Sequence, residues 1–159
     1  MNAAHLHIIL VHIPVVLVPF GLALLATGII RSNKTIIQVA HSTLCFAALF
    51  AIPAFLLGGE AEEVVEHLAG FSKKLIEEHE EAADFALWSC VILGILSLSA
   101  LVSYARSSAK SRLLSQATLL LSLIVTGILT NTAQKGGMIR HPEAFQNNQT
   151  IEAEEHEEK

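Results

Sequence analysis

Three histidines and a proline stand at the head of a long apolar run. The stretch HLHIILVHIP, residues 5–14, places His5, His7 and His12 at the mouth of an uncharged segment that continues to Ile30. Imidazole can ligate iron, copper or zinc, carry a proton near neutral pH, or hydrogen-bond where a membrane meets water. It is costly to bury in hydrocarbon, so three rings at the mouth of such a segment mark a candidate site. His7 and His12 are five residues apart in the chain, about 140° around a helix, so they face different partners.

Other histidines can join them. His67 and His79 lie in the acidic stretch EAEEVVEHLAGFSKKLIEEHEEAADF, and His141 follows a long apolar run in QKGGMIRHPEAF. Three chemistries remain open for this set. Two imidazoles could bind a haem b iron axially, with Arg140 pairing to a haem propionate. Imidazoles could instead combine with Glu60, Glu63, Glu66, Glu80 or Glu143 around a non-haem metal ion; no HExxH spacing selects one. The third reading is interfacial hydrogen bonding or pH sensing without a cofactor. No CxxCH occurs, which excludes covalent c-type haem.

These side chains need a scaffold, and the composition indicates which. The chain has 159 residues, is about half apolar, and has a mean hydropathy of +0.53. Uncharged runs cover residues 1–30, 35–59, 85–105 and 113–134. Each can supply the ~20 residues that a helix needs to cross a bilayer. The expected fold is an all-α integral membrane four-helix bundle, one domain over 1–143, with an acidic tail over 144–159 that lacks the apolar content to fold. Helices are expected over about 8–30, 35–58, 72–105 and 113–135. The first run has no basic residue before it and is too long for a signal peptide, so we expect a retained helix. The net charge of −5 and the lack of a basic patch exclude a nucleic-acid binder.

Between the second and third runs, Val64, Leu68, Phe71 and Leu75 recur at helical spacing with acids opposite, which predicts an amphipathic cap over about 60–70. Gly70 and Ser72 mark a helix stop and start. Gly136 and Gly137 are expected to end the fourth helix. Pro14 and Pro19 leave the Leu10 and Val15 carbonyls without intrahelical partners and predict a kink in the first. Small residues recur at spacings of three and four. They are Ala40, Thr43, Ala47, Ala51, Ala54 and Gly58 in the second helix, Ala83, Ala86, Cys90, Gly94 and Ser97 in the third, and Ser115, Thr118, Ser122, Thr126, Thr130, Ala133 and Gly137 in the fourth. Such faces let membrane helices pack closely, dock a second copy or a larger complex, or flank a flat cofactor. Cys45 and Cys90 differ in depth by ~13 Å at ~1.5 Å per residue, too far for a disulfide.

Arg31 and Lys34 follow the first helix and Arg106, Lys110 and Arg112 the third, with no acid in either short turn. The positive-inside rule puts these turns in the cytoplasm and both termini outside, in the periplasm of a Gram-negative host. His5, His7, His12, His67, His79 and His141 then share the outer end, while His41 lies alone near the inner one as a hydrogen-bonded structural residue. Taking Ile8 and Phe85 as the boundary, His12 is ~6 Å inside and His79 ~9 Å outside, so His7 is nearer the level of His79.

The opening LHIILVHIPVVLV, the central GGEAEEVVEHLAG and IEEHEEAA, and the closing GGMIRHPE resemble a family of small four-helix bacterial membrane proteins catalogued as a domain of unknown function. The resemblance covers residues 6 to 143; Ile13 stands where the family's VHFP-type motif usually has Phe. Relatives joined to c-type cytochrome modules imply electron traffic on the outer face and a c-type cytochrome or similar redox partner. Motif by motif, the resemblance points to His7, His12, His67, His79 and His141, and leaves His5 outside. The expected function is a cytochrome b-like electron carrier of the bacterial inner membrane, linking the quinone pool or a partner subunit to an outer redox protein. A structural or assembly subunit and a non-haem metal protein are the alternatives.

Overall fold

The computed structural model describes residues 2–66 and 72–141, with residues 64–66 and 140 described by their backbone alone. These residues form four helices, α1 (Ala3–Ile30), α2 (Lys34–Glu66), α3 (Lys73–Ala105) and α4 (Ser111–Arg140), all long and apolar enough to cross a membrane. Consecutive helices pack side by side and α4 closes against α1, so the bundle is a ring in which α1 and α3 stand opposite each other. The all-α four-helix architecture expected from the sequence is the one observed.

Local chemistry explains the ends. Asn2 caps α1 by accepting the His5 N–H at 3.0 Å, and Asn33 caps α2 by accepting that of Ile36 at 3.1 Å. The two short turns share one construction. Ser32 after α1 and Ser107 after α3 both adopt positive φ, at 50° and 49°. In the first, Ser32 and Asn33 donate to the Ile29 and Gly28 carbonyls; in the second, Ser107 and Ser108 donate to those of Tyr104 and Ser103. This nested pair of bonds satisfies carbonyls at a helix end and reverses the chain sharply. The molecule is thus two similar hairpins, α1–α2 and α3–α4, joined through residues 67–71.

Packing rests on small side chains, as lipid supplies no hydrophobic drive to bring helices together. Ala40, Ala47, Ala51 and Ala54 of α2 and Ala86, Cys90 and Ser97 of α3 are buried. A Cβ at Gly94 would lie 2.6 Å from the Ala48 Cβ, so α2 and α3 approach as closely as they do only because that atom is missing. Phe20, Leu49, Trp88, Ile95 and Leu120 are exposed and form the lipid-facing surface. Both cysteines are free; the Cys45 thiol donates to the Gly94 carbonyl at 3.6 Å.

Four details depart from expectation. α1 begins at Ala3, so His5 and His7 are already helical. α2 passes through Gly58 and Gly59 to Glu66 without a break, so the stretch expected to start a separate cap at 60 is the emergent end of a membrane helix; 67–71 lie outside the described residues. α4 continues through Gly136 and Gly137 to Arg140. Its buried face also differs from the small-residue stripe: Ser115, Thr118 and Ser122 are buried as expected, but the face then turns to Val125, Leu129 and Thr132, leaving Thr130 and Ala133 exposed. Repeated steps of four drift about 40° each from a 3.6-residue turn, so a strict i+4 series leaves the core within two turns.

Candidate functional site

At the end of the bundle bearing the chain termini, each hairpin holds one half-buried histidine in the same way. His7 of α1 donates from Nδ1 to the Ala54 carbonyl of α2 at 2.8 Å. His79 of α3 donates from Nδ1 to the Thr132 carbonyl of α4 at 3.0 Å. A carbonyl can only accept, so in the neutral ring the proton sits on Nδ1 and Nε2 keeps its lone pair. One turn beyond each accepting residue is a glycine, Gly58 after Ala54 and Gly136 after Thr132. A Cβ at Gly58 would lie 3.2 Å from His7 Cε1, and one at Gly136 would lie 2.9 Å from His79 Cε1. The glycines therefore make room for the imidazoles, and the carbonyls four residues earlier fix their tautomers.

These two histidines come from opposite corners of the ring of helices and lie within electrostatic reach of each other, with Lys135 also near His79. The Lys135 ammonium donates to the Glu78 carbonyl at 3.3 Å and lies 3.9 Å from the Glu78 carboxylate. Thr132 adds a further tie, its hydroxyl donating to the Ala82 carbonyl of α3 at 3.2 Å. The His79 ring is thus seated on a cross-linked part of the α3–α4 hairpin.

The remaining candidates are distributed differently. His12 is exposed and turns back on its own helix, bonding the Ile8 carbonyl at 2.5 Å, so it does not join His79. His5 is exposed at the start of α1. His141 ends α4, its backbone N–H bonded to the Gly137 carbonyl. Glu60, Glu63 and Glu80 are exposed, while His67 and Glu143 and the side chains of Glu66 and Arg140 lie outside the described residues. Among the described residues, no three His, Cys, Asp or Glu side chains are placed to share a metal ion.

His41, far down α2, is fully buried. Its Nε2 is 3.0 Å from the Ser115 hydroxyl, which itself donates to the Ser111 carbonyl at 3.0 Å, so the ring donates to Ser115. The ring is hydrogen-bonded as expected on that side alone: Nδ1 has no partner among the described residues, nor has the buried Ser97 hydroxyl.

Two features of the site escaped sequence reasoning. Ala54 and Gly58 were legible only as packing residues, and Thr132 and Gly136 lay off the chosen stripe altogether. The recoverable signal is the same small-x-x-x-Gly spacing on the second helix of each hairpin, paired with a histidine near the start of the first.

Four apolar helices closed into a ring, with a polar pair at one end, define a polytopic helical-bundle membrane protein. The chain belongs to the family described as "Predicted membrane protein (DUF2231)", which it matches over residues 3–143. No curated protein and no solved structure matches it.

Proposed function

We propose that the protein is a membrane-embedded b-type cytochrome-like electron carrier in which His7 and His79 would hold a haem. The observation that carries this reading is the paired construction itself. Two imidazoles on opposite helices each have Nδ1 committed to a backbone carbonyl, the arrangement that orients a ring and raises the basicity of its other nitrogen toward a metal. Two such nitrogens, without a third protein ligand among the described residues, would suit a haem, which brings its own iron ligands, better than a bare ion. Lys135, and Arg140 from the sequence, supply positive charge for propionates on a surface otherwise rich in Glu.

Haem, when bound, would supply reversible one-electron chemistry, while His7 and His79 would hold it, the Ala54 and Thr132 carbonyls would keep their rings in one tautomer and helix packing would limit water access. The site lies at the terminal end, so the positive-inside orientation would put it on the periplasmic side of a bacterial inner membrane, within reach of a c-type cytochrome or similar outer redox partner. His12, His67 and His141 are not needed as ligands in this arrangement.

The test is an absorption spectrum of detergent-purified protein, oxidised and reduced, after expression with haem supplied. A Soret band should be present, be lost in His7→Gly and His79→Gly, return on adding imidazole, and persist in His12→Ala. Absence of visible absorption, or loss in His12→Ala with retention in the other two, would overturn the assignment.

A further inference from the structure

The opposite end of the bundle, where the two short turns lie, carries a cavity of about 270 Å³ lined by Lys34, Gln38, Tyr104, Ser107, Ser108 and Ser111. All six side chains can donate a hydrogen bond and none can carry a negative charge in the physiological range. Among the described residues, Lys34 has no carboxylate partner, and the Gln38, Ser107 and Ser111 side chains make no hydrogen bond. The Ser108 hydroxyl accepts from the Lys110 N–H at 3.3 Å, which leaves its own proton to be given.

The wall of the cavity is fixed by buried polar groups. The Ser115 hydroxyl, 1% exposed, reaches both the Tyr104 hydroxyl at 3.3 Å and the Ser111 carbonyl, and His41 backs it from the interior. The Ser115 proton goes to the nearer Ser111 carbonyl, and the contact with Ser115 holds the Tyr104 hydroxyl in the cavity wall. Arg31, Arg106, Lys110 and Arg112 are exposed on the same two turns, and neither turn contains an acid. α2 and α4 both begin here, so the positive ends of two helix dipoles add to the field. Ile30 and Leu113, 82% and 69% exposed beside the same turns, offer apolar surface to lipid chains.

We infer that this cavity binds a phosphate oxyanion, and that its natural source is the headgroup of an anionic phospholipid in the adjoining leaflet. A concave set of donors with a lysine and no carboxylate is complementary to phosphate oxygens. Its position between helix ends at the membrane–water boundary brings headgroups to it. The inference is independent of the haem assignment and of which leaflet the turns face.

The test measures the rise in melting temperature of the detergent-purified full chain on titration with phosphatidylglycerol, with phosphatidylcholine and inorganic phosphate as separate arms. Lys34→Gln, and Ser108→Ala with Ser111→Ala, are compared with Lys110→Gln, which removes one charge from the same turns but from outside the cavity lining. The expected result is half-maximal stabilisation needing about tenfold more phosphatidylglycerol in the cavity variants, the loss of one charge-assisted bond. Lys110→Gln should stay within about twofold, as expected for a screened surface charge. Failure of inorganic phosphate to compete identifies the lipid as the source; competition keeps the oxyanion site and makes free phosphate its ligand. Equal weakening by Lys110→Gln and Lys34→Gln, or equal response to phosphatidylcholine, would overturn the inference.

Discussion

Adding one methyl group to Gly136 tests whether His79 is seated as described. An alanine Cβ there would stand 2.9 Å from Cε1, 3.3 Å from Nδ1 and 3.5 Å from Nε2 of the ring. Restoring an ordinary contact of about 3.6 Å requires the ring to retreat by roughly 0.7 Å. His79 is tethered to the same helix through the 3.0 Å bond to Thr132, and that retreat stretches the bond to about 3.7 Å, beyond hydrogen bonding. The cost is a half-buried donor left without its acceptor, about 1–3 kcal/mol. Gly127, on the same helix, supplies the control: nothing lies within 4 Å of a Cβ placed there. Gly127→Ala should show only the helix-propensity gain, up to about 1 kcal/mol in water.

Thermal unfolding in detergent reads the difference. At about 2–4 °C per kcal/mol for a chain of this size, Gly136→Ala should melt several degrees below Gly127→Ala, and the His79 ring resonances should move in the first variant alone. Haem content should fall with it. Equal melting temperatures and unchanged His79 resonances would refute the seating of the ring and the role given to Gly136. Gly58→Ala should act in the same direction but more weakly, because its Cβ would be 3.2 Å from His7 Cε1, a few tenths of an ångström short of ordinary contact.

Two further outcomes follow from the bundle. Gly94→Ala should lower the melting temperature more than Gly127→Ala, since its Cβ would meet the Ala48 Cβ at 2.6 Å and force α2 from α3; equal effects would show that this crossing is loose. Ser115→Ala should destabilise by about 1–3 kcal/mol in a melting experiment because it strands the buried His41 Nε2–H, and His41→Leu should restore much of the loss by removing the stranded donor. If Ser115→Ala is neutral, the His41–Ser115 bond is not a structural one.

The four membrane helices were legible because length and apolarity are read directly from composition, and lipid permits few alternatives. Their ends were less so. α2 and α4 both run past paired glycines, at 58–59 and 136–137, that would end a helix exposed to water. In each case the first glycine lies beneath a histidine from the neighbouring helix, and Ala54 and Thr132, one turn back, hold that histidine by their carbonyls. A glycine read as a helix stop was a seat for a ring. Backbone carbonyls carry no sequence identity, so the bonds that select His7 and His79 over His12 could not be read from residue types.

That choice between histidines bears on how the site is built. His12 has the better sequence credentials, inside the apolar run and next to Pro14, yet it faces outward and satisfies itself on Ile8 of its own helix. His7 and His79 each lean on a helix other than their own, and each hairpin supplies one ring, one carbonyl and one glycine. Each ring is therefore held by its own hairpin, and the two come together only when the hairpins close against each other. Separating the α1–α2 hairpin from α3–α4 leaves each histidine with its local carbonyl but without the opposing ring. A site assembled this way reports closure of the whole bundle, which no single helix carrying two histidines could do.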